Sequence, residues 1–456
     1  MRPTSIVGPL ILVAMGVVLL WSNLSNDFSL LDSLTLHWPW ILVVWGFVRL
    51  CEIALWHRNR KALPIAGVSG GEWFFVVVLC VVGAGLYFSN LVFGNRADAP
   101  FRLPMAQMFG ENYDFSLPEQ SMAMKAGGQL LVENLRGEVV ITGTDTDQIV
   151  LTGTEQIKEI NQDKARERWQ SRKVTIEENN GVTVIRSNLE GIDSDHEMRS
   201  ALRIRVPRQT QVRARGRKVD FEVSQVQGNV DLQSDDGSAR LVDIQGEARV
   251  RMNRSRDLRF QNISGAIEIH SSRGGDLYVE NARERVSAIG SFSGDIQLRQ
   301  LLKPVHIEDR NLDFRTEALT GEVQANRGSL TAHGLRGPTR IASESKDVEL
   351  DRFQGPLEVI LEKRDATIRQ TDTTIAPMDL QVRRGKVTLE LSPKAKFRME
   401  GRARQGEIRN DMGDRFQVDG RSKESRISGG DAGAPLISVD AERIELTSTE
   451  GEPARP

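Results

Sequence analysis

Cysteine is almost missing from this 456-residue chain. Cys51 and Cys80 are its two cysteines, both inside hydrophobic runs. No disulfide can therefore staple the long region that follows. No Cys-x-x-Cys or Cys/His spacing offers a zinc site either. A surplus of one charge is also lacking. The formal net charge is −2, which excludes a global polycation that would hold nucleic acid by neutralising phosphates. Aromatic residues make up only 6%, few for one large compact core, whereas the 40 glycines lie modestly above the usual share of about 7% and point to many turns. No P-loop, Gly-x-Ser-x-Gly or His-Glu-x-x-His pattern occurs.

What the chain does have, first, is three apolar runs: IVGPLILVAMGVVLLW from Ile6, LHWPWILVVWGFVRLCEIALW from Leu36 and WFFVVVLCVVGAGLYFSNLVF from Trp73. Spanning helices need about 17–25 largely apolar residues, so helices are expected over about 6–22, 36–56 and 73–93. Trp21, Trp38, Trp40, Trp56 and Trp73 stand at the run ends, where an aromatic belt places them. Arg49 and Glu52 lie at i,i+3 spacing near a basic end and read as a local ion pair with snorkelling. The loop after the second run carries Arg58, Arg60 and Lys61, and Arg2 precedes the first; the loop between runs one and two has Asp27 and Asp32 and no Lys or Arg. This puts the N-terminus in the cytoplasm and everything after about Asn95 outside. SNLSNDF after Trp21 lacks a small-x-small cleavage site, so the first run reads as an anchor and not a signal peptide. PLILVAMGVVLLWSNL and LHWPWILVVWGFVRL make residues 1–94 resemble the transmembrane region of LiaI/LiaF-type bacterial envelope-stress proteins.

Residues 95–127 have scattered Pro and Met and no sustained periodicity, which reads as an extracytoplasmic linker. Strand alternation starts at Gln129. Gln156–Arg172 is polar and helix-favouring and reads as one exposed helix, followed by strands KVTIEEN, GVTVIRS and LRIRVPR, with a polar loop SNLEGIDSDHEMRS.

From Val226 the chain repeats. Taking Gly228, Gly246, Gly265, Glu284, Lys303, Gly321, Gly337 and Gly355 as reference positions, the spacings are 18, 19, 19, 19, 18, 16 and 18. Two before each reference stand Val226, Ile244, Ile263, Ala282, Leu301, Leu319, Leu335 and Phe353, all apolar. Positions two and four after are also apolar, apart from Thr339. Position three after reads Asp231, Arg249, Glu268, Ser287, His306, Gln324, Arg340 and Glu358. That is period two, one face in and one out, and the polar column never puts like charges in successive copies. A second strand follows in each copy. One copy of about 18 residues cannot bury its own apolar face, but stacked copies can. The expected fold is an all-β solenoid of two-strand rungs over 128–448, with PLISVDAERIELTS as a closing strand pair and 449–456 as a flexible tail. A propeller blade would need about 40 residues; an antiparallel meander or sandwich is the second choice.

LLVENLRGEVVITG, the recurrent rungs, SGDIQL at Ser293–Leu298 and the closing AERIELTS make residues 129–448 resemble the bacterial "putative adhesin" family of membrane-tethered β-solenoid domains. That resemblance implies binding, and it brings no catalytic residues.

The outer region has four histidines. His270 stands five after its reference, His306 three and His333 twelve; with His196 in a loop, they share no column, and solvated surface roles are expected. Asp235 and Asp236 beside Gly237 read as turn formers. RGRKVDF and VRMNRSRDLRF are locally basic and read as solvated strand faces, with contact to anionic glycan or phospholipid as the alternative. No catalytic, metal or cofactor residue is assigned. The expectation is a non-enzymatic protein of the bacterial cytoplasmic membrane. It would hold lipid through three helices and present an extracytoplasmic solenoid to envelope polymer or a membrane protein partner. A LiaF-like regulator of a membrane sensor kinase is the alternative, and a solenoid polysaccharide-active enzyme a distant third.

Overall fold

The computed structural model describes residues 110–159, 161–170, 174–187, 198–421 and 424–449, together with Phe74, Val77, Val78, Cys80 and Val81. The chain divides into two units, Met1–Met108 and Phe109–Pro456. The five isolated residues are helical and fall in the third expected span; the first two spans and the rest of the third lie outside the described residues. Among the described residues no helix is long and apolar enough to cross a membrane.

The second unit is built almost wholly of strands. It opens with β1 (Glu111–Ala123), β2 (Gln129–Thr144), β3 (Gln148–Glu159), α1 (Gln162–Gln170), β4 (Val174–Asn179), β5 (Val182–Ser187) and β6 (Met198–Pro207). β1 lies inside the stretch expected as linker and pairs antiparallel with β3. Its Tyr113, Phe115 and Leu117 alternate, but a register shift between Leu117 and Gln120 then moves the inward positions to Gln120 and Met122, which breaks the period in the sequence. The helix is shorter than expected. Ile157 and its neighbours stay in β3 because Ile157, fully buried, packs in a small second core with Ala165, Met198, Phe115 and Trp169. Asn161 then starts α1, its Oδ1 accepting the Lys164 N–H at 2.9 Å. β4 and β5 form a hairpin on Asn180 and Gly181, both with positive φ (51° and 79°), the backbone of a tight two-residue turn.

The long stack follows: β7 (Gln211–Ser224), β8 (Val230–Ile244), β9 (Ala248–Ile263), β10 (Ile267–Ala282), β11 (Val286–Phe292) and β12 (Ile296–Leu301). β7 pairs parallel with β8, β8 with β9 and β9 with β10. β11 and β12 then cover the first and second limbs of β10. β2 lies parallel on the other side of β7, with β5 and β6 beyond it. The three apolar columns all point inward. Ile244, Ile263, Ala282 and Leu301 are each fully buried, as are Leu232, Val250, Ile269 and Ala288. The recurrent glycines have a steric cause: a Cβ on Gly265 would sit 2.4 Å from the Gly246 carbonyl oxygen. A second column, three before each reference, holds Gln225, Asp243, Asn262, Asn281 and Gln300, all at φ between 52° and 58°. Asn and Asp tolerate this left-handed region best. Asn281 Nδ2 donates to Asn262 Oδ1, and Asn262 Nδ2 to Asp243 Oδ1, each at 2.8 Å.

The regular repeat then breaks. β13 (Val305–Asp309) continues the parallel stack on β11, but β14 (Leu312–Ala325) runs antiparallel to β13, to β12 and to β15 (Ser329–Ser343). One whole coil of chain is laid down backwards between two hairpins. Asp309 Oδ1 accepts the N–H groups of Arg310 and Phe292 at the first. At the second, Asn326 Oδ1 accepts those of Gly328 and Ser329, each at 2.8 Å. The Lys346 ammonium, buried at the same edge, donates to the Asn326 carbonyl. Gly321 is therefore not the next neighbour of Lys303 in a uniform stack. Arg315 takes the outward place beside His306, and Gln324 lies on the other limb against Gln297. Inside–outside alternation survives because it is the same whichever way a strand runs.

Parallel stacking resumes with β16 (Asp347–Asp351), β17 (Leu357–Leu361), β18 (Ala366–Gln370), β19 (Met378–Val382) and β20 (Lys386–Leu391). β21 (Arg398–Asn410), β22 (Phe416–Arg421), β23 (Glu424–Gly430) and β24 (Leu436–Ser448) complete the unit. The expected closing strand does not close the stack. β24 slots between β19/β20 on one side and β21 on the other, parallel to all three. β23 then covers β21 antiparallel, and β22 pairs antiparallel with the far side of β23. Both ends of the stack thus finish in antiparallel strands, one way natural sheets keep edges from pairing with other molecules.

Candidate binding surface

Side chains at alternate positions of every strand face solvent in columns along the stack. On the first limb the order by register is Arg213, Asp231, Arg249, Glu268, Ser287, His306, Arg315, Arg340, Glu358 and Asp379. Opposite charges meet: Arg213 lies 3.7 Å from Asp231, Arg249 2.9 Å from Glu268 and Arg340 2.9 Å from Glu358. The hydrogen bond from Arg249, with Arg285 adding its charge, holds the Glu268 carboxyl below the usual carboxylate range. The reversed strand sets Arg315 directly against Arg340, and Asp313 lies within 4.0 Å of both guanidinium groups. On the second limb Arg299 pairs with Glu322 at 2.8 Å and Arg369 with Glu390 at 2.5 Å.

The histidines stay apart. His270 and His333 are exposed; His306 is half-buried, its Nε2 3.5 Å from Asp313 and 3.6 Å from Glu308. His196 lies outside the described residues. Among the described residues no three His, Cys, Asp or Glu side chains gather closely enough to hold a metal ion. Asp235 accepts a hydrogen bond from Asn253 at 2.9 Å, and Asp236 pairs with Arg254 at 3.5 Å. Of the two basic stretches, Arg251, Arg256 and Arg259 have acidic partners. Arg215, Arg217 and Lys218 are exposed without ion pairs among the described residues.

A groove of about 440 Å³ runs along the edge where the two limbs of β8, β9, β10 and β11 meet. The same three columns line it on successive strands: Gln233, Ser234 and Asp235; Arg251, Met252 and Asn253; His270, Ser271 and Ser272; then Ile289 and Gly290. The sequence reading missed it because these polar residues carry no period beyond the solvent-facing half of the alternation. The available signal was the numbering itself, the fifth to seventh residue after each reference glycine.

A comparison with curated proteins finds no match. Among solved structures, a "putative cell adhesion protein" from Clostridium sporogenes is similar at 9% identity over 73% of this chain and 98% of that one, with a TM-score of 0.17. The family model described as Toastrack DUF4097 matches residues 129–451, from β2 to just past β24. The chain belongs to the Toastrack DUF4097 family.

Proposed function

We propose that this chain is a non-enzymatic binding protein of the bacterial envelope. Three helices within residues 1–94 hold it in the cytoplasmic membrane, and a β-solenoid displays its outward columns on the extracytoplasmic side. The observation that carries this reading is the continuous outward ladder, in which charged side chains recur at the strand spacing of about 4.8 Å on a frame with an unbroken apolar interior. Such a frame presents many weak contacts in fixed register, which suits an extended partner such as envelope polymer. Crosslinking in intact membranes with the full chain as bait tests the reading, and recovery of envelope polymer is the expected result. Protease applied to intact spheroplasts should cut residues after 95. Protection there would overturn the topology. If the helices alone, joined to another outer domain, restored an envelope-stress response, regulation of a sensor kinase through helix contacts would replace binding as the function.

A further inference from the structure

Beside the groove along β8–β11 stands an arginine without the acidic partner that Arg249, Arg299 and Arg369 have. Just beyond the groove's lining, Lys218, Asp236, Arg254 and Arg273 stand opposite one another on β7, β8, β9 and β10. Arg254 has Asp236, but Arg273 faces Arg254 directly and has no acidic partner among the described residues. Like charges in register on neighbouring strands cost stability, and the exposed Arg273 beside the groove is a cation that a ligand's anion can pair. In the groove, each of three strands offers the same two exposed polar positions: Gln233 and Asp235, Arg251 and Asn253, His270 and Ser272. Hydrogen-bonding groups therefore recur along one line over about 10 Å, three strands at the ordinary spacing. Exposed Arg215, Arg217 and Lys218 extend the positive end onto β7.

We propose that this groove binds a linear anionic polysaccharide lengthwise, its carboxylates on Arg251 and Arg273 and its hydroxyls on Asn253, His270 and Ser272. The inference rests on the binding-protein reading above and names the ligand class. Guanidinium forks match carboxylates in bidentate fashion. A repeating ligand suits a repeating site because each additional sugar meets the next strand's pair of polar side chains.

The test uses the full chain in nanodiscs, with immobilised polygalacturonate as probe and dextran as the neutral control. The wild type should bind polygalacturonate and not dextran, more weakly as salt rises. Arg273→Glu should weaken binding about ten-fold or more, the effect of losing one charge-assisted hydrogen bond. Ser272→Trp, which fills the groove without changing charge, should do the same. Arg283→Glu, on the opposite edge of the stack, should leave affinity within about two-fold, and circular dichroism should show the same strand content throughout. No binding by the wild type overturns the proposal. So does an equal loss in Arg283→Glu, or displacement by phosphatidylglycerol vesicles that bind through Arg273 instead. If Arg273→Glu captures envelope polymer from membranes as well as the wild type, the groove is wrong and the binding-protein reading stands. Failure of the wild type to capture any envelope material removes that broader reading.

Discussion

Asn262 performs two tasks at one position. Its φ of 56° sits in a region that costs most residues about 1–2 kcal/mol, and its amide links Asp243 to Asn281. Asn262→Val should therefore destabilise by about 2 kcal/mol or more, and Asn262→Gly by less, since glycine is free of the strain. Urea unfolding of the two variants compares them directly. Phe260, fully buried on β9, should cost about 3–5 kcal/mol on replacement by alanine, read as a lower unfolding midpoint. The inward columns, such as Ile244 to Leu301, were legible in the sequence because burial demands apolar side chains at a fixed offset. The left-handed column was not read, although Asp243, Asn262 and Asn281 stand in plain sequence three before each reference. Polar residues there look like any exposed turn until their backbone angles are known.

Neighbouring strands join through the charge ladder, and that coupling responds to pH. The Glu268 carboxyl on β10 is held below its ordinary pKa, first by the Arg249 hydrogen bond from β9 and further by the charge of Arg285. A carboxylate depressed in the folded state contributes stability that is fully present above the ordinary carboxylate range. That contribution is lost as pH falls through the lowered folded value. Protection against hydrogen exchange in β9 and β10, taken relative to the intrinsic exchange rate at each pH, should accordingly fall on acidification, and Arg249→Met should shrink the effect; an unchanged acid dependence in that variant would refute the pairing. Strand direction was illegible for a related reason. LDFRTEALTGEVQA keeps the same alternation read either way, so nothing in its apolar pattern reveals that β14 runs backwards. The hairpin turns do reveal it, through Asp309 and Asn326, whose side chains accept backbone N–H groups there. The groove was equally hidden, since it arises from stacking four strands and no single strand contains it.

The stack as a whole depends on chain segments that return from far away in sequence. β24 separates β20 from β21 and pairs with both, so removing residues 436–448 should expose two strand edges and open the region from β19 to β23. Limited proteolysis should then cut within 398–430 at protease levels that leave the intact chain whole. β2 plays the matching part at the other end, between β7 and strands β5 and β6, which ties the first strands of the unit into the same body as the groove. The proposed role, a ladder held outside the membrane and binding polymer along its edge, makes one direct demand. His270→Cys should react with a membrane-impermeant maleimide in intact spheroplasts, above the background of Cys51 and Cys80 in the unaltered chain, and polygalacturonate should slow that reaction. Labelling that appears only after lysis, or that polygalacturonate leaves unchanged, would contradict it.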